Sequence, residues 1–266
     1  MNKNQTEFKM DAVIMAGGTM PVEDPLYHES PNGKRSMIEL MGKPMVQWVI
    51  DTLDASDAVA EIYLVGLSPE IGLTSAKPLH IIPDQGGMFE NIRTGVIQAT
   101  EDHPERSKVL TVSADIPAIH SQMVDWVANN VAENPNQLVY YTVIPQTVMD
   151  ETFPNANRSY IRFKDIAVCG GDLHAVDKAF FAKERPIWHR LTTARKQPLK
   201  QAWMIGFDTL FLIALRLITL QGTVRKVCQR LGITGKAFLS PYAELGMDAD
   251  KPHQLAILRQ HLEGRL

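Results

Sequence analysis

The chain has 266 residues, 45% of them apolar and 21% charged, with a formal net charge of −3 at pH 7. That is ordinary globular composition, and the absence of a basic patch argues against a nucleic-acid partner. Only Cys169 and Cys228 occur, which excludes a disulfide framework and fits a reducing compartment.

In chain order, the opening MNKNQTEFKM lacks the apolar core of a signal peptide. Short runs rich in Val, Ile and Tyr then predict buried strands: AVIMA (12–16), EIYLVGL (61–67), KVLTVSA (108–114) and QLVYYTVI (137–144). None alternates cleanly, as expected of parallel strands covered on both faces. Between them lie segments with apolar residues at helical spacing: PMVQWVIDTLDAS (44–56), FENIRTGVIQA (89–99) and SQMVDWVANNV (121–131). Strands alternating with helices imply βαβ units, hence a three-layer α/β/α sandwich with a mostly parallel, Rossmann-like sheet.

From Asp177 to Leu231 the pattern turns helical, through KAFFAKE, a Trp188 segment, the apolar 209–220 run and TVRKVCQRLGI. The apolar run carries Arg216 and is too short to span a bilayer, so a cytoplasmic chain without a membrane span is expected. The predicted layout is an α/β core over 1–176, a helical insertion or lid over 177–240, and a turn plus helix over 241–266 that completes the core. The insertion is a candidate homodimer surface, with burial in the core as the competing reading.

DAVIMAGGTM (11–20) runs a buried strand straight into Gly17-Gly18. In an open parallel sheet, ligands bind beyond the carboxyl ends of the strands, and bare glycine backbone there lets N–H groups face an anion. The polar loop that follows ends in Lys34 and Arg35. Two glycines also make an ordinary turn, and neither a dinucleotide fingerprint nor a P-loop is present.

The run Ala16-Gly17-Gly18, a long loop, Arg35 and Gly42-Lys43-Pro44-Met45 resembles the MobA-like nucleotidyltransferases. Their relatives include the isoprenoid cytidylyltransferase and the sugar-phosphate nucleotidyltransferases. The resemblance covers about residues 11–175 and resumes at 246–262. Two departures stand out: the loop after the glycines lacks the family's arginine, and Arg35 replaces the usual lysine, exchanging a point charge for a planar fork.

Asp115 stands where the KVLTVSA strand ends, and MDADKP places Asp248 and Asp250 two residues apart, so that in extended backbone only one of them faces inward. Each also suits a helix cap. Magnesium takes one or two carboxylates with waters and phosphate oxygens, and Asp115 with Asp250 meets that need. The resemblance assigns these two aspartates to the metal, Mg²⁺ or Mn²⁺. It further implies that Ala16, Gly17, Gly18, Thr19, Arg35 and Lys43 serve the phosphates. Gln85 (or Asp84), Gly86 and Asn91 would serve the base and ribose, and Asp172 in VCGGDLH the acceptor.

The implied activity is transfer of a nucleoside monophosphate from a nucleoside triphosphate to a phosphorylated small-molecule acceptor, with release of pyrophosphate. Two alternatives stand beside it: a nucleotide-sugar-dependent glycosyltransferase of the same fold, and a non-catalytic nucleotide-binding homologue. Cys169 reads as a small buried residue, and the histidines show no zinc spacing.

Overall fold

The structure is a computed structural model in which residues 8–181 and 206–264 are described. The Trp188 segment expected to be helical lies outside those residues.

The first strand, β1 (Met10–Met15), is flanked by parallel partners on both sides. After the long loop, β2 (Glu39–Leu40) and β3 (Lys43–Pro44) form a hairpin. Its two turn residues, Met41 and Gly42, take φ of 52° and 82°, the primed geometry that matches strand twist. Helix α1 (Met45–Asp54) starts at once, with Pro44 as its extended N-cap. Met45, Val46, Val49, Ile50 and Leu53 are buried along one face of it, each worth about 1.5–3 kcal/mol of apolar burial.

Strands β4 (Val59–Val65) and β5 (Leu79–Ile82) extend the sheet on one side of β1, and after helix α2 (Met88–Asp102), β6 (Lys108–Ser113) adds to the other. Helix α3 (Ser121–Ala132) leads to β7 (Val139–Pro145) and the short α4 (Gln146–Thr152). Then come β8 (Ile161–Arg162), β9 (Ala167–Gly170) and β10 (Leu173–Asp177). Together β9 and β10 run antiparallel along β7, broken at Gly171-Asp172, and β10 also pairs antiparallel with β6. The sheet is therefore mixed but mostly parallel.

Helices α5 (Phe207–Ala214) and α6 (Leu220–Leu231) follow, the latter capped by Thr219 Oγ1, which accepts from Gly222 N–H at 3.1 Å. Near the end of the 177–240 segment, expected to be a helical insertion or lid with its helices over 177–231, β11 (Gly235–Leu239) is a strand that pairs parallel with β7 in the main sheet. Last comes α7 (Pro252–Glu263), within the segment expected to hold a turn and a helix.

Alternate residues of each strand feed opposite faces. Ala12, Ile14, Ile62, Leu64, Leu110 and Val112 pack towards α1, α3 and α7. Val13, Tyr63, Val65 and Val109 pack towards α2. Val143 and Ala237 pack against Leu220 and Val224 of α6. This is the expected Rossmann-like sandwich. Among the described residues no helix is long and apolar enough to cross a membrane.

Candidate active site

At the carboxyl end of β1 a cleft of about 520 Å³ opens, lined by Ala16 to Pro21, Asp24, Arg35, Asp84, Gly86 to Met88, Asn91 and Ser113 to Asp115. Four segments are arranged at or beside it, and specific bonds hold each in place.

The first is the glycine loop. Ala16 N–H still donates to Val65 C=O at 2.8 Å, the last rung of the ladder with β4. The chain then leaves the sheet, and Gly18 N–H donates to Asp84 Oδ2 at 3.0 Å. Asp84 Oδ1 accepts from Gly86 N–H at 2.9 Å and from Asn91 Nδ2 at 3.2 Å. The Gly18 and Gly86 amides hold the Asp84 carboxyl below its usual range. Asp84 thus knits the two glycine loops together. The Gly17 and Thr19 amides have no protein acceptor among the described residues, so two anion-binding N–H groups stay available.

The second is the long polar loop, which folds back over the strand end. Met20 N–H donates to Gly33 C=O at 2.8 Å, and Ser36 Oγ to Ala16 C=O at 3.3 Å. This fold presents Arg35 at the cleft with its guanidinium shared between two carboxylates: Nη2 lies 3.2 Å from Asp24 Oδ2, and Nη1 pairs with Asp250 Oδ1.

The third and fourth are the tip of β6 and the acidic turn before α7. Ala249 N–H donates to Asp115 C=O at 3.2 Å, so residues 134 apart in sequence meet through one backbone bond. Asp115 Oδ1 accepts from Ser113 Oγ at 2.5 Å. Burial pushes the Asp115 carboxyl up and the Asp250 charge adds to this, against the opposing Ser113 hydrogen bond and Arg35 charge. Of the acidic pair, Asp248 turns to Arg158, while Asp250 turns to Arg35. The two aspartates thus take different arginine partners.

Asp172 sits at the break between β9 and β10, its own amide donating to Leu245 C=O at 2.7 Å. Its Oδ2 is buried without a partner among the described residues. Burial, reinforced by the Asp115 and Asp250 charges, pushes its carboxyl up to about 7.

Of the residues singled out from sequence, Ala16, Gly17, Gly18, Thr19, Arg35, Gly86, Asn91 and Asp115 line the cleft, and Asp250 joins it through Arg35. Three do not line it: Asp172, Lys43 and Gln85. Lys43 Nζ pairs with Asp51 Oδ2 at 2.5 Å and lies 3.8 Å above the Trp48 ring, because the β2–β3 hairpin aims it along α1. The Gln85 side chain folds back onto Pro83 C=O at 2.7 Å, and its backbone N–H caps Asn91 Oδ1 instead. Asn91 itself is buried and braces both glycine loops. Sequence reading missed Asp24 and Arg158, whose only signal was an unassigned charge in a loop.

Among the described residues no group of three or more His, Cys, Asp or Glu side chains forms a self-sufficient metal cage.

A structure described as a hypothetical transferase from Thermus thermophilus matches with a TM-score of 0.78 and 27% identity, over 93% of this chain and 99% of that one. A CMP:2-keto-3-deoxy-manno-octonic acid synthetase complexed with CTP matches at 0.59 and 14%, over 97% and 100%. The 4-diphosphocytidyl-2C-methyl-D-erythritol synthase of Anaerococcus prevotii matches at 0.58 and 12%, over 96% of each chain. The last two likenesses are of fold alone. No curated protein sequence matches significantly. The sequence profile of the MobA-like NTP transferase domain matches residues 12–200. The chain is a nucleotidyltransferase and belongs to the MobA-like NTP transferase domain family.

Proposed function

We propose that this nucleotidyltransferase transfers a nucleoside monophosphate from a nucleoside triphosphate to a phosphorylated small-molecule acceptor, with Mg²⁺ or Mn²⁺ as cofactor. The observation that carries the reading is the Ala249 N–H to Asp115 C=O bond, which brings the acidic turn to the tip of β6 beside the glycine loop.

The unpaired Gly17 and Thr19 amides and the Arg35 guanidinium would take the β- and γ-phosphates. Gly86 and Asn91 line the side left for base and ribose. Asp172, with an unpartnered oxygen, would accept a hydroxyl of the acceptor. A phosphate monoester is already anionic, so its oxygen needs no side-chain base to attack the α-phosphorus in line. Positioning and charge neutralisation carry such chemistry.

The residues present fit a hard divalent cation. The Asp250 charge adds to the burial that pushes Asp115 up, and the Arg35 charge opposes it. Two carboxylates, with no group of three or more His, Cys, Asp or Glu among the described residues, suit Mg²⁺, which completes its shell with water and phosphate oxygens. When bound, it would neutralise the charge gathering on the departing pyrophosphate.

The test is pyrophosphate release from a panel of triphosphates and phosphorylated acceptors, with Mg²⁺ and with chelator. Asp115→Asn should lose at least about hundredfold in kcat. Glycosyl transfer from a nucleotide sugar, or triphosphate binding with no pyrophosphate from any acceptor, would overturn the proposal.

A further inference from the structure

We propose that Asp24 is a positioning residue of the nucleotide site: it pivots the Arg35 guanidinium over the cleft while the other end exchanges Asp250 for a phosphate oxygen. The inference rests on the triphosphate site proposed above.

The two carboxylates on Arg35 are not equivalent. Asp24 is fixed on every side. Its N–H donates to Pro21 C=O and its C=O accepts from Tyr27 N–H, both at 2.9 Å. Its Oδ1 accepts from Leu26 N–H at 2.9 Å, leaving Oδ2 for Arg35 Nη2. The side chain is only 15% exposed, against 49% for Asp250. Among the described residues Asp250 has no hydrogen-bonding partner but Arg35. When a triphosphate arrives, Asp250 is therefore the carboxylate that yields, and Nη1 is the nitrogen released. Arg35 Nε is also buried without a partner among the described residues, so the planar fork has donor capacity in reserve. Holding Nη2 pre-orders a side chain that would otherwise lose several rotamers on binding.

Simple Coulomb reasoning predicts the opposite outcome, which makes the inference sharp. Deleting any carboxylate beside an anion site should tighten anion binding. A pivot demands that Asp24→Asn weaken it.

Inorganic tripolyphosphate, titrated calorimetrically in chelator, tests this without a base or a metal. Asp250→Asn should bind about threefold or more tighter, and Asp24→Asn about fivefold weaker, the entropy of one unpinned arginine. Asparagine still accepts from Leu26 N–H, and Asp24→Ser repeats the test should Asp24→Asn fail to fold. A wild-type protein that binds tripolyphosphate, with Asp24 variants that bind as well or better, would overturn this inference alone. A wild-type protein that binds neither tripolyphosphate nor any Mg²⁺-triphosphate would overturn the site and the inference together.

Discussion

Gly66, at the end of β4, packs so closely on Gly17 that a methyl group on Gly66 would overlap the Gly17 Cα and amide nitrogen. Gly66 also takes φ of +111°, and its N–H donates to Ile82 C=O at 2.9 Å, so its backbone cannot swing away. On the other side, a side chain at Gly17 would collide with Asn91. The phosphate loop is thus held between a neighbouring strand end and a buried amide. Gly66→Ala should cost about 2–3 kcal/mol in denaturant unfolding and weaken triphosphate binding along with stability. A loss under about 0.5 kcal/mol would mean that the two loops yield to one another easily.

The opposite end of the sheet is held by a buried charge pair. Asp11 is fully buried on β1, with Arg106 Nε at 2.9 Å and its Oδ1 unpartnered among the described residues. Burial raises the Asp11 carboxyl above its usual range, and the Arg106 bond and charge pull it back. Arg106→Met should destabilise by about 3–5 kcal/mol at neutral pH, because it strands an anion. The sign with pH follows: a raised folded-state acid binds its proton more readily than the unfolded chain. The variant should therefore recover stability as pH falls towards 5. Urea melts of both proteins at pH 7.5 and 5 measure this, and a deficit that stays constant or widens would contradict it.

Arg158 and Asp248, each under 15% exposed, pair at the acidic turn. If this pair positions the neighbouring Asp250 for a metal, its loss acts on the metal and not on the phosphates. Arg158→Gln should raise the Mg²⁺ concentration needed for half-maximal thermal stabilisation by triphosphate about tenfold. The affinity for tripolyphosphate in chelator should hardly move. Equal losses in both would show that Arg158 supports the whole cleft and not the metal side.

Much of this arrangement is legible in the sequence because its signals are local. The runs 12–16, 61–67, 108–114 and 137–144 each overlap an observed strand, and Asp248 and Asp250 take separate partners, as a period of two allows. What escaped depends on tertiary pairing. LHII and GKAFL are too short to announce β5 and β11, which are strands because β4 and β7 offer them free edges. The family resemblance assigns Lys43 to the phosphates, yet its Nζ pairs with Asp51 beside the turn at Met41-Gly42. Asp24 and Arg158 gain meaning only once Arg35 and Asp248 are beside them.

His174, one residue along β10 from Leu173, lies stacked on Tyr141 with ring centroids 4.2 Å apart. Its Nδ1 accepts from Thr142 N–H at 3.1 Å, which requires a neutral ring. Burial lowers its pKa from 6.5 to about 4, against a smaller opposing effect of the hydrogen bond the ring donates to the Gly171 backbone. The folded protein thus binds fewer protons than the unfolded chain between those values. Stability is fully present above pH 6.5 and is lost as pH falls towards 4, by about 3 kcal/mol at most. His174→Asn keeps an acceptor for Thr142 and cannot titrate, so it should cost stability at pH 7.5 through the lost ring stack. Below pH 6.5 the two proteins should converge. Because the carboxylates titrate in both, the informative quantity is the difference between their denaturant midpoints from pH 7.5 to 4.5. A difference that does not shrink would show that the ring is protonated in place and that acid sensitivity arises elsewhere.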